Sequence, residues 1–81
     1  MKQHITISST AELGEFIRAY RKSQMLTLEK VSNLSHLSLR FLSELERGKE
    51  TAEIGKVIKA INMLGLEVII QPRGYVNKND E

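Results

Sequence analysis

A chain of 81 residues holds one compact domain and is too short for two, and so small a core favours oligomerisation. Hydrophobic residues make up 41% and charged residues 27%, which excludes a disordered chain; the lack of cysteine excludes disulfides and thiolate metal sites. With 12 basic and 10 acidic residues the net charge of +2 is too mild to announce a nucleic-acid binder, so any basic surface must be made by geometry. No apolar run approaches the ~18 residues of a membrane span, and "MKQHITISST" carries no signal-peptide core. The expectation is a cytoplasmic protein that does not contact membranes.

Residues 4–8, "HITIS", alternate apolar and polar in a β-branched run, so a short strand is expected within a segment 1–9. "SSTAELGEFIRAYRKSQ" reads as the first helix, capped by Ser9 or Thr10, with Glu12 in the first turn where the helix dipole favours an anion. Its apolar stripe is Leu13, Phe16, Ile17 and Tyr20, and Gly14 reads as a mild cost inside it. "TLEKVSNL" predicts a second helix with Thr27 as cap and Leu28, Val31 and Leu34 inward. A third helix begins at the cap Ser38 and runs to Gly48, a C-terminal stop. After the turn "KET", "AEIGKVIKAINMLG" is the clearest amphipathic helix, with Ile54, Val57, Ile58, Ile61 and Leu64 on one side and Gly65 at its end. "LEVIIQ", residues 66–71, is strand-like, and Pro72 and Gly74 lead into a frayed tail, so the helical domain spans 10–65 and the tail 72–81.

Two short helices joined by a tight turn are the outline of a helix-turn-helix. On the third helix a turn of ~100° per residue puts Leu37, Phe41, Leu42 and Leu45 on one broad side. Leu39, Arg40, Ser43, Glu44 and Arg47 fall on the other, a small, polar face with cations at its ends. Such a face suits a major groove, where arginine and serine bond base edges and phosphates.

The stretch "LGEFIRAYRKSQMLTLEKVSNLSHLSLRFLSELERGKE" resembles the XRE/Cro/C1-type helix-turn-helix family, in Ile17, Arg21, Leu26, Thr27, Val31, Leu34, Leu37, Ser38, Leu42, Ser43, Leu45, Glu46 and Gly48. More narrowly, "FLSELERGKETAEIGKVIKAINMLGLEVII" is similar to the HipB-like antitoxin branch, in which a strand follows the fourth helix. The implied fold is mainly α: a four- to five-helix lambda-repressor-like helix-turn-helix domain. A short C-terminal β-strand, with the N-terminal one as a second candidate, would form an intersubunit sheet.

The resemblance implies that the third helix reads DNA through Ser38, Leu39, Arg40, Ser43 and Glu44. Arg40 is the expected base reader, because a guanidinium bonds guanine O6 and N7 together, and Leu39 suits a thymine methyl. Ser43, Arg47 and Lys49 are placed for phosphates, and Thr27 opens a helix whose free N–H groups make an anion seat. Arg21 and Glu46 match an ion pair that, in this family, ties the first helix to the end of the third. Two positions depart from the family pattern. Leu28 stands where glutamine is usual, and His36 fills a turn position often held by glycine; histidine tolerates a positive φ better than most residues. Glu44 is awkward at a groove unless it accepts from cytosine N4.

The strand "LEVIIQ" leaves unpaired backbone groups that need a partner, either "HITIS" of the same chain or the same strand of a second copy. The resemblance implies the homodimer, with Leu66, Val68, Ile69 and Ile70 as the contact, facing a palindromic double-stranded operator. It implies further a repressor of its own operon that binds a HipA-like serine/threonine kinase toxin. The alternatives are a stand-alone or phage-type regulator, and an adaptor that kept the fold but lost DNA contact. No enzyme, cofactor or metal site is expected: the histidines His4 and His36 lie far apart, and "GKETAEIGK" has the wrong spacing for a P-loop.

Overall fold

The computed structural model describes residues 4–74; residues 1–3 and 75–81, most of the expected tail, lie outside it. Four helices run in order: α1 Thr10–Ser23, α2 Leu28–Ser35, α3 Leu39–Glu46 and α4 Ile54–Met63. α1 packs on α3, and α2 packs on both α3 and α4. None of these helices is long and apolar enough to cross a membrane.

The first three helices begin at hydroxyl caps. Ser9, Thr27 and Ser38 accept the backbone N–H of Glu12, Lys30 and Phe41 respectively, which satisfies one orphan donor in each first turn. Ser9 takes the cap that the sequence left open between two residues. Thr10 does something else: its hydroxyl donates to the carbonyl of Gly48 at 2.8 Å, tying the start of α1 to the end of α3. α4 starts at Ile54, two residues later than its pattern suggested, with Glu53 in the cap position making no side-chain bond.

Ile17, Val31, Leu37, Leu42, Leu45, Val57, Ala60, Ile61 and Leu64 form one buried cluster, with Leu13, Tyr20, Leu28, Phe41 and Leu66 packed around it. Three expected inward positions turn out to face water. Leu34 is half exposed, and the inward place near the end of α2 goes to Ser35. Ser35 is wholly buried and satisfied, donating to the Val31 carbonyl and accepting from the Leu37 N–H. On α4 the neighbouring α2 covers Val57, Ala60 and Ile61, whereas Ile54 is 70% exposed and Ile58 also lies open.

Gly14 is a packing requirement, not a mild cost. A Cβ there would lie 2.5 Å from the Glu46 carbonyl oxygen and 2.6 Å from that of Leu45, so any side chain would push α1 off the end of α3. Beside this crossing sits the Arg21–Glu46 pair, both side chains under a tenth exposed. Arg21 donates through Nε to Oε2 at 2.6 Å and through a terminal nitrogen to Oε1 at 3.0 Å, a bidentate fork. Its other terminal nitrogen donates to the Leu26 carbonyl at 2.7 Å. The bonds to Glu46 raise the guanidinium's pKa above its ordinary value, so it stays charged.

Two non-glycine residues hold left-handed backbone conformations. His36, φ 64°, makes the turn between α2 and α3, as its tolerance of positive φ allowed. Met25, φ 61°, sits between α1 and α2 with its side chain almost fully exposed, so the strain is not offset by packing. Residues 4–8 and 66–71 join no ladder among the described residues of the single chain, so the two expected strands do not form a hairpin with each other.

Two stability measurements check this account. Glu46→Ala should lower the unfolding free energy by about 3–5 kcal/mol, because it strands a buried guanidinium; an unchanged melting temperature would sink the pairing. Met25→Gly should raise stability by about 0.5–1 kcal/mol in urea denaturation, relief of the left-handed strain exceeding glycine's entropy cost.

Candidate nucleic-acid interface

α3 has two faces with separate surroundings. Leu42 and Leu45 are buried in the core and Phe41 is half-buried against it, with the Lys56 ammonium 6.0 Å from its ring centroid. Ser38, Leu39 and Arg40 are exposed, Ser43 and Glu44 are partly covered, and Arg47 and Lys49 are exposed beyond them. The expected reading residues therefore do come together on one surface. Arg40 stands well out, its side chain 87% exposed. Leu39 lines a shallow polar recess with Glu29, Ser32 and Asn33 of α2. Ser38 has a prior duty, since its oxygen caps α3.

Thr27 is exposed at the start of α2 with its oxygen occupied by the Lys30 N–H at 3.0 Å. Leu28, the departure from the family pattern, is half-buried against the core and lines an open groove between α1 and α3. Ser43 and Arg47 lie along the same groove, and so do Arg18 and Lys22 of α1. These two cations were absent from the sequence-derived set. The signal was available: they are four residues apart, opposite the stripe of Leu13, Ile17 and Tyr20, and hence side by side on the helix surface. Arg18, Lys22 and Arg47 enter no ion pair among the described residues, and with only Glu15 opposing them beside the Arg21–Glu46 pair, the groove carries an excess of positive charge.

Glu44 lies among the cations of α3. Its Oε1 accepts from the Lys49 ammonium at 3.0 Å and its Oε2 from the Arg40 Nε at 3.3 Å. The Lys49 bond, then the Arg40 bond, hold its carboxyl below the ordinary glutamate value. The bridge is therefore intact at neutral pH and is lost only as the pH falls through that lowered value.

The comparisons with known proteins agree with this geometry. Residues 17–69 match the model of a family described as helix-turn-helix. The chain belongs to that family. It is 37% identical over 72 residues to an uncharacterized HTH-type transcriptional regulator, y4mF, of Sinorhizobium fredii (strain NBRC 101917 / NGR234), covering 89% of this chain and 95% of that one. It is 36% identical over 64 residues to the transcriptional regulator ClgR of Mycobacterium tuberculosis (strain ATCC 25618 / H37Rv), covering 76% of this chain and 57% of that one. Among solved structures it is similar to that titled "HipB-O4 20mer complex", with a TM-score of 0.80 over 86% of this chain and 99% of that one. A complex of a HipB variant with an O2 20mer gives 0.81 over 88% and 99%. At 14% identity in both cases the likeness is one of fold. This is an XRE-type helix-turn-helix regulator, a DNA-binding protein, with α2 and α3 as its helix-turn-helix.

The Glu44 bridge has a direct readout. The carboxyl carbon of Glu44, followed by NMR, should titrate with a midpoint below the ordinary 4.5. Lys49→Ala should move that midpoint upward by more than Arg40→Ala does, because the Lys49 bond is the shorter.

Proposed function

We propose that this chain is a sequence-specific repressor that binds a palindromic operator as a homodimer, with α3 in the major groove. The observation that carries the reading is the outward face of α3. Arg40 projects almost fully into solvent from a helix whose opposite side is locked into the core, so a guanidinium is held out on a rigid support. Leu39 lies beside it for a thymine methyl, and Ser43, Arg47 and Lys49 flank it for phosphates. Thr27 opens α2 with its first N–H groups toward a further phosphate. Arg18 and Lys22 extend that positive margin onto α1.

The dimer reading rests on apolar surface that the other described residues leave uncovered. Val68 and Ile69 are about half exposed and Ile70 is 94% exposed, while Leu66 is anchored against the core. Ile54 and Ile58 of α4 add to this open apolar area. Pairing of residues 66–71 with the same segment of a second copy would satisfy the backbone and cover the side chains around one two-fold axis. The two α3 helices would then meet half-sites one helical turn apart, or a multiple of it.

The fold likeness to HipB in its O4 and O2 20mer complexes favours the narrower role of an antitoxin that represses its own operon and binds a HipA-like kinase toxin. A second reading, a stand-alone regulator, is favoured by y4mF and ClgR, both named as transcriptional regulators. Copurification with the product of an adjacent kinase-like gene supports the first, and the lack of such a gene supports the second.

One titration tests the DNA reading. Fluorescence anisotropy on the DNA upstream of the gene should give binding that weakens steeply with salt. Arg40→Ala should cost about 1–3 kcal/mol and relax the preference at one base pair. Ile70→Lys should leave the fold intact, give a monomer in sedimentation and weaken operator binding. Salt-insensitive, sequence-blind binding by the wild type overturns the proposal.

A further inference from the structure

We infer that Glu44 is a positioning residue for Arg40 and a restraint on Lys49, and does not itself read a base. The inference rests on the DNA-binding reading of α3 and deepens it. Both carboxylate oxygens are engaged by cations, Oε2 by Arg40 at 3.3 Å and Oε1 by Lys49 at 3.0 Å. Arg40 is 87% exposed and Glu44 only 23%, so the guanidinium stands in front and the carboxylate behind it. A base edge reaching α3 meets Arg40 first.

The bond to Glu44 uses the Nε of Arg40, which leaves both terminal nitrogens free. Those two form the end of the fork that matches guanine O6 and N7. An arginine anchored through Nε also loses less rotamer freedom on binding than a free one, so less affinity is spent on ordering it. Glu44 thus favours one orientation of the fork, and with it one base.

The same carboxylate acts on phosphate binding. With Arg40 and Lys49 it makes a trio of net charge +1, where the two cations alone would present +2. Sequence-blind binding grows with the number of phosphates neutralised, and readout of bases does not. Glu44 therefore lowers affinity for any DNA more than affinity for the right DNA, which widens the gap between them. Exposed ion pairs of this kind contribute little to folding, so the effect is separable from stability.

The test compares wild type, Glu44→Gln, Arg40→Ala and Lys49→Ala against a random-sequence duplex pool, with the bound fraction sequenced. Each is then titrated by anisotropy, at several salt concentrations, on the duplex the wild type enriches and on a shuffled duplex. Glu44→Gln should lose about tenfold of its preference at the same base pair that Arg40→Ala affects. It should bind the shuffled duplex more tightly than wild type, with a salt slope steeper by about one. In the free protein its Arg40 Nε–H resonance should shift, while the melting temperature stays at the wild-type value. Loss of preference at a different base pair would make Glu44 a reader and overturn the inference. So would an unchanged preference and salt slope. If the wild type enriches no sequence, the DNA-binding reading of α3 fails, and that outcome is distinct from both.

Discussion

The bidentate bond between Arg21 and Glu46 is the constraint on which the rest of the domain depends. One guanidinium, carried by the C-terminal turn of α1, reaches two other places at once: the last residue of α3 and the Leu26 carbonyl just before α2. A charge this well covered is tolerable because each of its three nitrogens donates a hydrogen bond, so the three elements cannot drift apart independently. Gly14 and Thr10 act beside it. The missing Cβ of Gly14 lets α1 approach the carbonyls at the end of α3, and the Thr10 hydroxyl takes the Gly48 carbonyl that ends the same helix. These contacts orient the helices more than they stabilise them.

That orientation is what gives α3 its value. A short helix with a weak intrinsic tendency to form is held by a serine cap, two buried leucines and the bond at its C-terminal end. Its outer side is then free to carry polar and charged groups. Where three charges meet there, geometry distributes them: Arg40 outward, Glu44 behind it, Lys49 drawn back to the carboxylate. A list of groove-facing residues cannot express that division of labour.

The turns show a different economy. Both junctions around α2 need a left-handed residue, and neither uses glycine; His36 and Met25 stand there instead. The strain is carried by residues at the surface, where it is compatible with the buried bonds on either side. The histidine was legible as a turn residue because its tolerance of positive φ is general. The methionine was not, because nothing general about methionine favours a positive φ.

Sequence determined the order of the helices, the caps Thr27 and Ser38 and most of the apolar side of each helix, and its resemblance to the family pointed to the Arg21–Glu46 pair. These follow from local periodicity, hydroxyl placement and the family pattern, which a chain carries wherever it folds. Tertiary structure decided what depended on neighbours. Leu34, Ile54 and Ile58 have helical spacing fit for a core, yet the described residues of the single chain leave them exposed. Gly14 reads as a cost until α3 lies across it. Glu44 reads as a repelled carboxylate until Arg40 and Lys49 close on it. Burial, close approach and charge compensation are properties of pairs of elements, and a linear pattern records only one element at a time.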